Sequence, residues 1–196
     1  MKIHILLFDG FETLDIFGPV EILARVEGHE LLYQSLDGGI VRSAQGMEVL
    51  TSRIEALEPE SVLVIPGGRG TRALVGNERF LNGISELVQN AGYVLSICTG
   101  SALLAKAGVL DGLKATSNKK AFEWAKSNSN QVTWVYHARW VNDGKFYTSS
   151  GVSAGMDMAL GFVRDLYGME KAEKIAQDIE YVWNKDSEAD PFAVLT

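Results

Sequence analysis

Short unbroken apolar runs alternate along the chain with segments whose apolar positions recur every three or four residues. Ile3-His4-Ile5-Leu6-Leu7-Phe8, Leu31-Leu32-Tyr33-Gln34-Ser35-Leu36, Val62-Leu63-Val64-Ile65 and Tyr93-Val94-Leu95-Ser96-Ile97 read as strands, most of them apolar on both faces. Leu14, Phe17, Ile22 and Leu23 predict a helix over residues 12–26, with a short first turn or kink at Gly18-Pro19. Residues 40–43 and 48–51 predict a hairpin around Gln45-Gly46. Further helices are expected over 79–90, 102–107, 119–126, 153–166 and 170–183, and strands over 132–136 and 145–148 flanking the Asn142-Asp143-Gly144 turn. Strands alternating with helices predict an α/β fold: a flavodoxin-like three-layer α/β/α sandwich around a mostly parallel sheet, in one domain over 1–196.

Composition narrows the possible partners. Acidic residues outnumber basic ones 25 to 18, for a formal charge of −7, and no segment concentrates Lys and Arg. Nucleic acid and anionic membrane are therefore not expected partners. A single cysteine allows no internal disulfide and fits a reducing compartment, so a cytoplasmic location is expected. The apolar N-terminal run is cut short by Asp9-Gly10 and reads as a strand, not a signal peptide. No run reaches the roughly 20 apolar residues a bilayer span needs. A helix-turn-helix domain has no room beyond the last helix, which weighs against a self-contained transcription factor.

The one cysteine, Cys98, lies in Ser96-Ile97-Cys98-Thr99-Gly100-Ser101, between an apolar run and a helical segment. Strand, sharp turn and helix in that order form a nucleophile elbow, which raises a side chain above a parallel sheet and turns backbone N–H groups toward it. A helix N-terminus favours thiolate over thiol, so a lowered Cys98 pKa is expected. A free cysteine also serves as a small core hydrophobe, and it is the strand–turn–helix context that favours the reactive reading.

Ligands of parallel sheets gather beyond the carboxyl ends of the strands. Phe8-Asp9, Pro66-Gly67-Gly68 and Cys98 all fall at such ends, so three distant segments are expected to converge on one pocket. There the backbone N–H groups of Gly68 and Thr99 are candidates for an oxyanion hole, although Gly-Gly also serves as an ordinary turn. Asp15, flanked by Leu14, Ile16 and Phe17, is expected to be buried, with a raised pKa that suits a general acid. Asp9 and Glu12 read more simply as a turn residue and a helix-start charge. His4, His29 and His137 are too scattered for a metal motif, His4 reading as a strand residue satisfied by its neighbours, and no metal or cofactor is expected.

Leu14-Asp15-Ile16-Phe17-Gly18-Pro19, Ile65-Pro66-Gly67-Gly68, the Cys98 segment and Thr148-Ser149-Ser150-Gly151-Val152-Ser153-Ala154-Gly155-Met156-Asp157 together resemble the ThiJ/PfpI superfamily, in order and over nearly the whole chain. The Leu-Asp-x-x-Gly-Pro and Cys-Thr-Gly-Ser forms, with Gln177, Glu180 and Tyr181, resemble its isonitrile hydratase branch, which converts an isonitrile and water to an N-substituted formamide. The resemblance implies Cys98 as nucleophile, Asp15 as acid, Thr99 as an essential threonine and the Gly68 and Thr99 amides as oxyanion donors. Gly67, Asn118 and Gly151 are the expected substrate-binding positions, for a small-molecule substrate in a homodimer without cofactor. Many relatives carry a histidine in the turn after the elbow helix, where this chain reads Ala115-Thr116-Ser117-Asn118. That departure argues against a Cys–His pair and against protease or amidotransferase chemistry. Residues 182–190 are longer and more polar than in the hydratase branch, which would alter the pocket rim. The alternatives are glyoxalase-like attack on an α-oxoaldehyde, and a non-enzymatic role as a cysteine redox or ligand sensor.

Overall fold

Strands apolar on both faces form the centre of the molecule, as a parallel sheet covered by helices requires. The computed structural model describes residues 1–194. Ten strands run in chain order: β1 (Lys2–Leu6), β2 (Glu30–Ser35), β3 (Gly39–Arg42), β4 (Glu48–Arg53), β5 (Val62–Ile65), β6 (Tyr93–Ser96), β7 (Lys114–Ala115), β8 (Thr133–Trp134), β9 (Trp140–Asp143) and β10 (Phe146–Ser149). Eight form one sheet in the order β3-β4-β2-β1-β5-β6-β10-β9, and β7 and β8 form a separate parallel pair. Within the large sheet β4, β2, β1, β5, β6 and β10 run parallel, and β3 and β9 are antiparallel at its two edges. Every residue of β5 and β10 is buried.

The helices are α1 (Thr13–Leu23), α2 (Thr71–Leu74), α3 (Glu78–Asn90), α4 (Gly100–Lys106), α5 (Phe122–Lys126), α6 (Ala154–Tyr167) and α7 (Met169–Asp178). α6 packs against α1 and α7, while α2, α3 and α5 pack around α4, giving a helical layer on either side of the sheet. α3 shows how the pattern works: Phe80, Ile84, Leu87 and Val88 form one buried stripe, and the Asn77 side chain caps the helix by accepting from the Phe80 amide at 3.1 Å. The chain leaves β1 toward β2 on one side and toward β5 on the other, so strand order reverses between β1 and β5. Parallel sheets leave an open crevice at such a point.

Four local expectations are corrected. No break occurs at Gly18-Pro19, and α1 runs through both residues to Leu23. These small residues instead let α6 come close, because a Cβ on Gly18 would lie 2.6 Å from Met156 Cγ and one on Gly155 would lie 3.3 Å from Pro19 Cγ. The antiparallel partner of β10 is β9, not residues 132–136; that stretch keeps only β8, paired with β7. The 119–126 helix opens as a 3₁₀ turn over Lys119–Ala121 before α5. Finally, α7 stops at Asp178, because Glu180 takes φ +51° and the chain folds back so that the Trp183 indole donates to the Asp157 carbonyl at 3.1 Å. Among the described residues, no helix is long and apolar enough to cross a membrane.

Candidate active site

Three of the four segments that meet at the crevice are turns beyond strands. Ile97-Cys98 follows β6, and Cys98 takes φ +57°, a left-handed conformation costly for a residue with a side chain. Its backbone is tied on both sides: the Cys98 amide donates to the Ser150 carbonyl at 3.2 Å, and its carbonyl accepts from Ser117 Oγ at 2.9 Å and Ser101 Oγ at 3.0 Å. Thr99 then caps α4. This is the elbow expected from the residue order.

The turn after β5 needs glycine for a steric reason. A Cβ on Gly67 would lie 2.5 Å from the Thr99 nitrogen and 2.9 Å from Cys98 Cβ, so any side chain there collides with the elbow. Gly68 takes φ +119° and has the Gly10 carbonyl where a Cβ would point. The Glu12 amide donates to the Gly67 carbonyl at 2.9 Å, which joins the start of α1 to this turn. α1 in turn delivers Asp15, whose Oδ2 accepts from the Gly67 amide at 2.8 Å.

Asp15 is fully buried, and its Oδ1 has no hydrogen-bond partner among the described residues. Burial pushes its pKa up to about 8; the Gly67 amide opposes the rise, the Glu12 charge adds to it and the Cys98 side chain opposes it. Burial therefore favours the protonated carboxyl, as expected. Because the Gly67 N–H points at Oδ2, the proton belongs on Oδ1.

Cys98 departs from the expected low pKa. It is 6 % exposed, and burial, followed by the Asp15 charge, pushes the thiol up to about 12. The amides of Thr99 and Val152 and the Thr99 hydroxyl oppose this rise without overcoming it. The α4 N-terminus supplies donors to the sulfur, but loss of water outweighs them. Interacting acids titrate as a unit, and burial of this pair favours its neutral, fully protonated form.

The proposed oxyanion donors also differ from expectation. The Gly68 amide is occupied, donating to Thr99 Oγ1 at 3.1 Å. The Thr71 hydroxyl donates to the Gly68 carbonyl at 2.7 Å and lies 3.1 Å from Thr99 Oγ1. The Thr99 hydroxyl lies 3.4 Å from the Gly68 carbonyl, to which it can donate, and it also faces the sulfur. The second amide facing the sulfur belongs to Val152, which takes φ +43° directly after Gly151. Sequence reasoning missed this donor; a left-handed valine has no signature in composition.

Asn118 stands at the edge of the site. Its Oδ1 accepts from the Ala121 amide at 3.0 Å, and its Nδ2 lies so near Gly151 that a Cβ there would be 2.2 Å away. Asp9 accepts from the Arg42 amide at 2.9 Å and Glu12 from Gln45 Nε2 at 2.7 Å, the plain structural roles expected of them. None of the three histidines hydrogen-bonds Cys98. His4 is buried against Gln34 and Glu58, His29 pairs with the Leu23 carbonyl and Tyr167, and His137 is exposed beside Tyr136. A groove of about 840 Å³ lies away from the sulfur, between Arg53-Ile54 and the Glu78, Asn82 and Leu87 face of α3. Residues 182–190 dock on Arg139 and Asp157 through Asn184, Ser187 and Asp190.

The DJ-1/PfpI family profile matches residues 1–165. Isonitrile hydratase of Pseudomonas putida is 30% identical over 194 residues, covering 92% of this chain and 78% of the relative. A deglycase of Thermococcus kodakarensis is 32% identical over 152 residues, covering 76% of this chain and 89% of the relative. Among solved structures, a ThiJ/PfpI family protein from Pseudomonas syringae superposes with a TM-score of 0.78 at 28% identity, covering 97% of this chain and 77% of that one. Drosophila melanogaster DJ-1beta superposes with a TM-score of 0.77 at 23% identity, covering 93% and 98%, a likeness of fold. Agreement in sequence along most of the chain and in the path of the sheet makes this protein a member of the DJ-1/PfpI family.

Proposed function

We propose that the protein is a cysteine-dependent hydratase that converts an isonitrile to an N-substituted formamide, with Cys98 as nucleophile and Asp15 as acid. The observation that carries the reading is the state of Asp15: burial favours its protonated form, one amide holds it, Oδ1 is unpartnered among the described residues, and its charge and that of Cys98 act on each other. An isonitrile carbon needs a nucleophile and a proton at the same atom, and this pair supplies both. Cys98 Sγ bonds to the terminal carbon, that carbon takes the proton of Asp15 Oδ1, and the proton leaving sulfur restores the carboxyl. The product is a thioimidate on Cys98. Water then adds across its C=N bond, oxygen to carbon and hydrogen to nitrogen. Cleavage of the C–S bond returns the proton of the new hydroxyl to sulfur and frees the formamide. The amides of Thr99 and Val152 and the Thr99 hydroxyl favour the sulfur anion as it forms and as it leaves.

The similarity to the P. putida hydratase over most of both chains supports this choice. Deglycase relatives of like identity favour a second reading, attack of the same thiol on an α-oxoaldehyde. The absence of any histidine bonded to Cys98 among the described residues weighs against chemistry that needs a Cys–His pair. Kinetics on a panel of isonitriles, α-oxoaldehydes and amides separate the two. Formamide production by wild type, reduced about 10³-fold or more in Cys98→Ala and in Asp15→Asn, is the expected result. Full turnover in either variant overturns the roles, and lactate from methylglyoxal in place of formamide selects the second reading.

A further inference from the structure

Arg72 is the second residue of α2, and the residue before it, Thr71, touches Thr99 inside the site. Its side chain is exposed, and its Cζ lies 3.4 Å from the ring centroid of Trp124 in α5. α2 and α5 both pack on α4, whose first turn follows Cys98, so the Arg72–Trp124 stack spans the outside of the elbow. Arg25, Arg42, Arg79, Arg139 and Arg164 each pair with a carboxylate. Among the described residues Arg72 enters no salt bridge, and its guanidinium makes no hydrogen bond. Partial burial lowers the Arg72 pKa and the charge of an ionised Cys98 opposes that fall, so the two groups lie within electrostatic reach.

A guanidinium lying flat on an indole has its plane fixed while its edge N–H groups stay free. A planar fork of donors matches a carboxylate held edge to edge. We propose that Arg72, held by Trp124, is a specificity-determining residue that receives a carboxylate on the non-reacting end of the substrate while its reacting carbon meets Cys98. Resting on the hydratase reading, this narrows the substrate to isonitriles that carry a carboxylate near the isonitrile group.

Two measurements on wild type and Arg72→Gln test the assignment and keep it separable from that reading. The first compares kcat/KM for isocyanoacetate and for its uncharged methyl ester. The variant is expected to lose about tenfold on the acid and to keep the ester rate within twofold. The second compares alkylation of Cys98 by iodoacetate and by iodoacetamide. Both reagents attack the same thiolate, so any change in its ionisation cancels in the ratio of rates. That ratio is expected to fall about tenfold in Arg72→Gln and to be retained in Trp124→Phe, which preserves a stacking face. An unchanged ratio in Arg72→Gln overturns the assignment, as does an equal fall on isocyanoacetate and its ester, which would place Arg72 on the sulfur and not on the substrate. If neither isonitrile is turned over by wild type yet the alkylation ratio falls, the hydratase reading fails and the anion-receiving role of Arg72 stands.

Discussion

Asp15 and Asp157 are both fully buried carboxyl groups on helices that pack against each other, and their surroundings could hardly differ more. Asp157 Oδ2 accepts from Arg139 Nε and Nη2 at 2.8 Å, and its Oδ1 accepts from the Tyr181 hydroxyl and the Asn184 amide, each at 3.0 Å. Asp15 has one backbone amide on Oδ2 and nothing on Oδ1. Burial raises both pKa values, but at Asp157 the guanidinium and two further donors, the Tyr181 hydroxyl and the Asn184 amide, oppose the rise. The comparison separates structure from chemistry. A buried carboxyl whose lone pairs are all taken is a clamp, whereas one left with a free oxygen and a proton beside a thiol is available to react.

Breaking the clamp gives the largest effect. Arg139 also lies 3.5 Å from Asp190, and its amide and that of Trp140 donate to the Ser187 carbonyl, so the cluster fastens residues 183–190 to the edge of the sheet. Arg139→Met removes the cation that two buried carboxyl groups share, leaving Asp157 without one and Asp190 with Lys119 alone. Urea denaturation at pH 7 is expected to show a loss of about 3–5 kcal/mol. A loss below about 1 kcal/mol would mean that the cluster gains nothing from its charge.

The same contrast explains what could be read from sequence. Apolar runs announced β1, β5 and β6, and the order of residues around Cys98 announced the elbow, because those features are local. Asp15 was legible for the same reason: its neighbours Leu14, Ile16 and Phe17 predicted burial. The pairing of β9 with β10 was not legible, since Trp140-Val141-Asn142-Asp143 is half polar while Val132–Tyr136 carries a more strand-like pattern. The raised thiol pKa was missed because it comes from water excluded by distant segments, not from the helix start that follows the cysteine. Arg72 was missed because only the packing of α2 and α5 on α4 brings it to Trp124 and the elbow.

Asp15→Asn sharpens the comparison from the other side. In the folded protein the Asp15 pKa is about 8, and in the unfolded chain it returns to about 3.9. Between those values the folded state holds a proton that the unfolded state has released, so the stability that Asp15 contributes is greatest below about pH 4 and falls as pH rises toward 8. Asparagine has the shape of the protonated acid and does not titrate. Wild type is expected to lose roughly 2–3 kcal/mol relative to Asp15→Asn between pH 5 and pH 7, with no further divergence above about pH 9. Parallel stability curves would mean that Asp15 is ionised in the fold, and its role as acid would fall. The asparagine variant is thus expected to be the more stable protein at pH 7 and the inactive one, the reverse of what removing a clamp produces.

Asn118 lies between the two regions and gives the smallest effect. Its side chain caps the turn that leads into α5 and packs on Gly151 of the elbow's wall, while the next residue, Lys119, faces Asp190 at 3.7 Å within the clamp. Because Oδ1 is committed to the Ala121 amide, truncation removes a cap from a short turn and opens space beside Gly151. Asn118→Ala is expected to cost about 1 kcal/mol in urea denaturation and to leave isonitrile turnover within about threefold of wild type. A large rise in KM without loss of stability would reverse that assignment: the Nδ2 group would then belong to the substrate, and the wall of the active site would extend from Val152 across Gly151 to the start of α5.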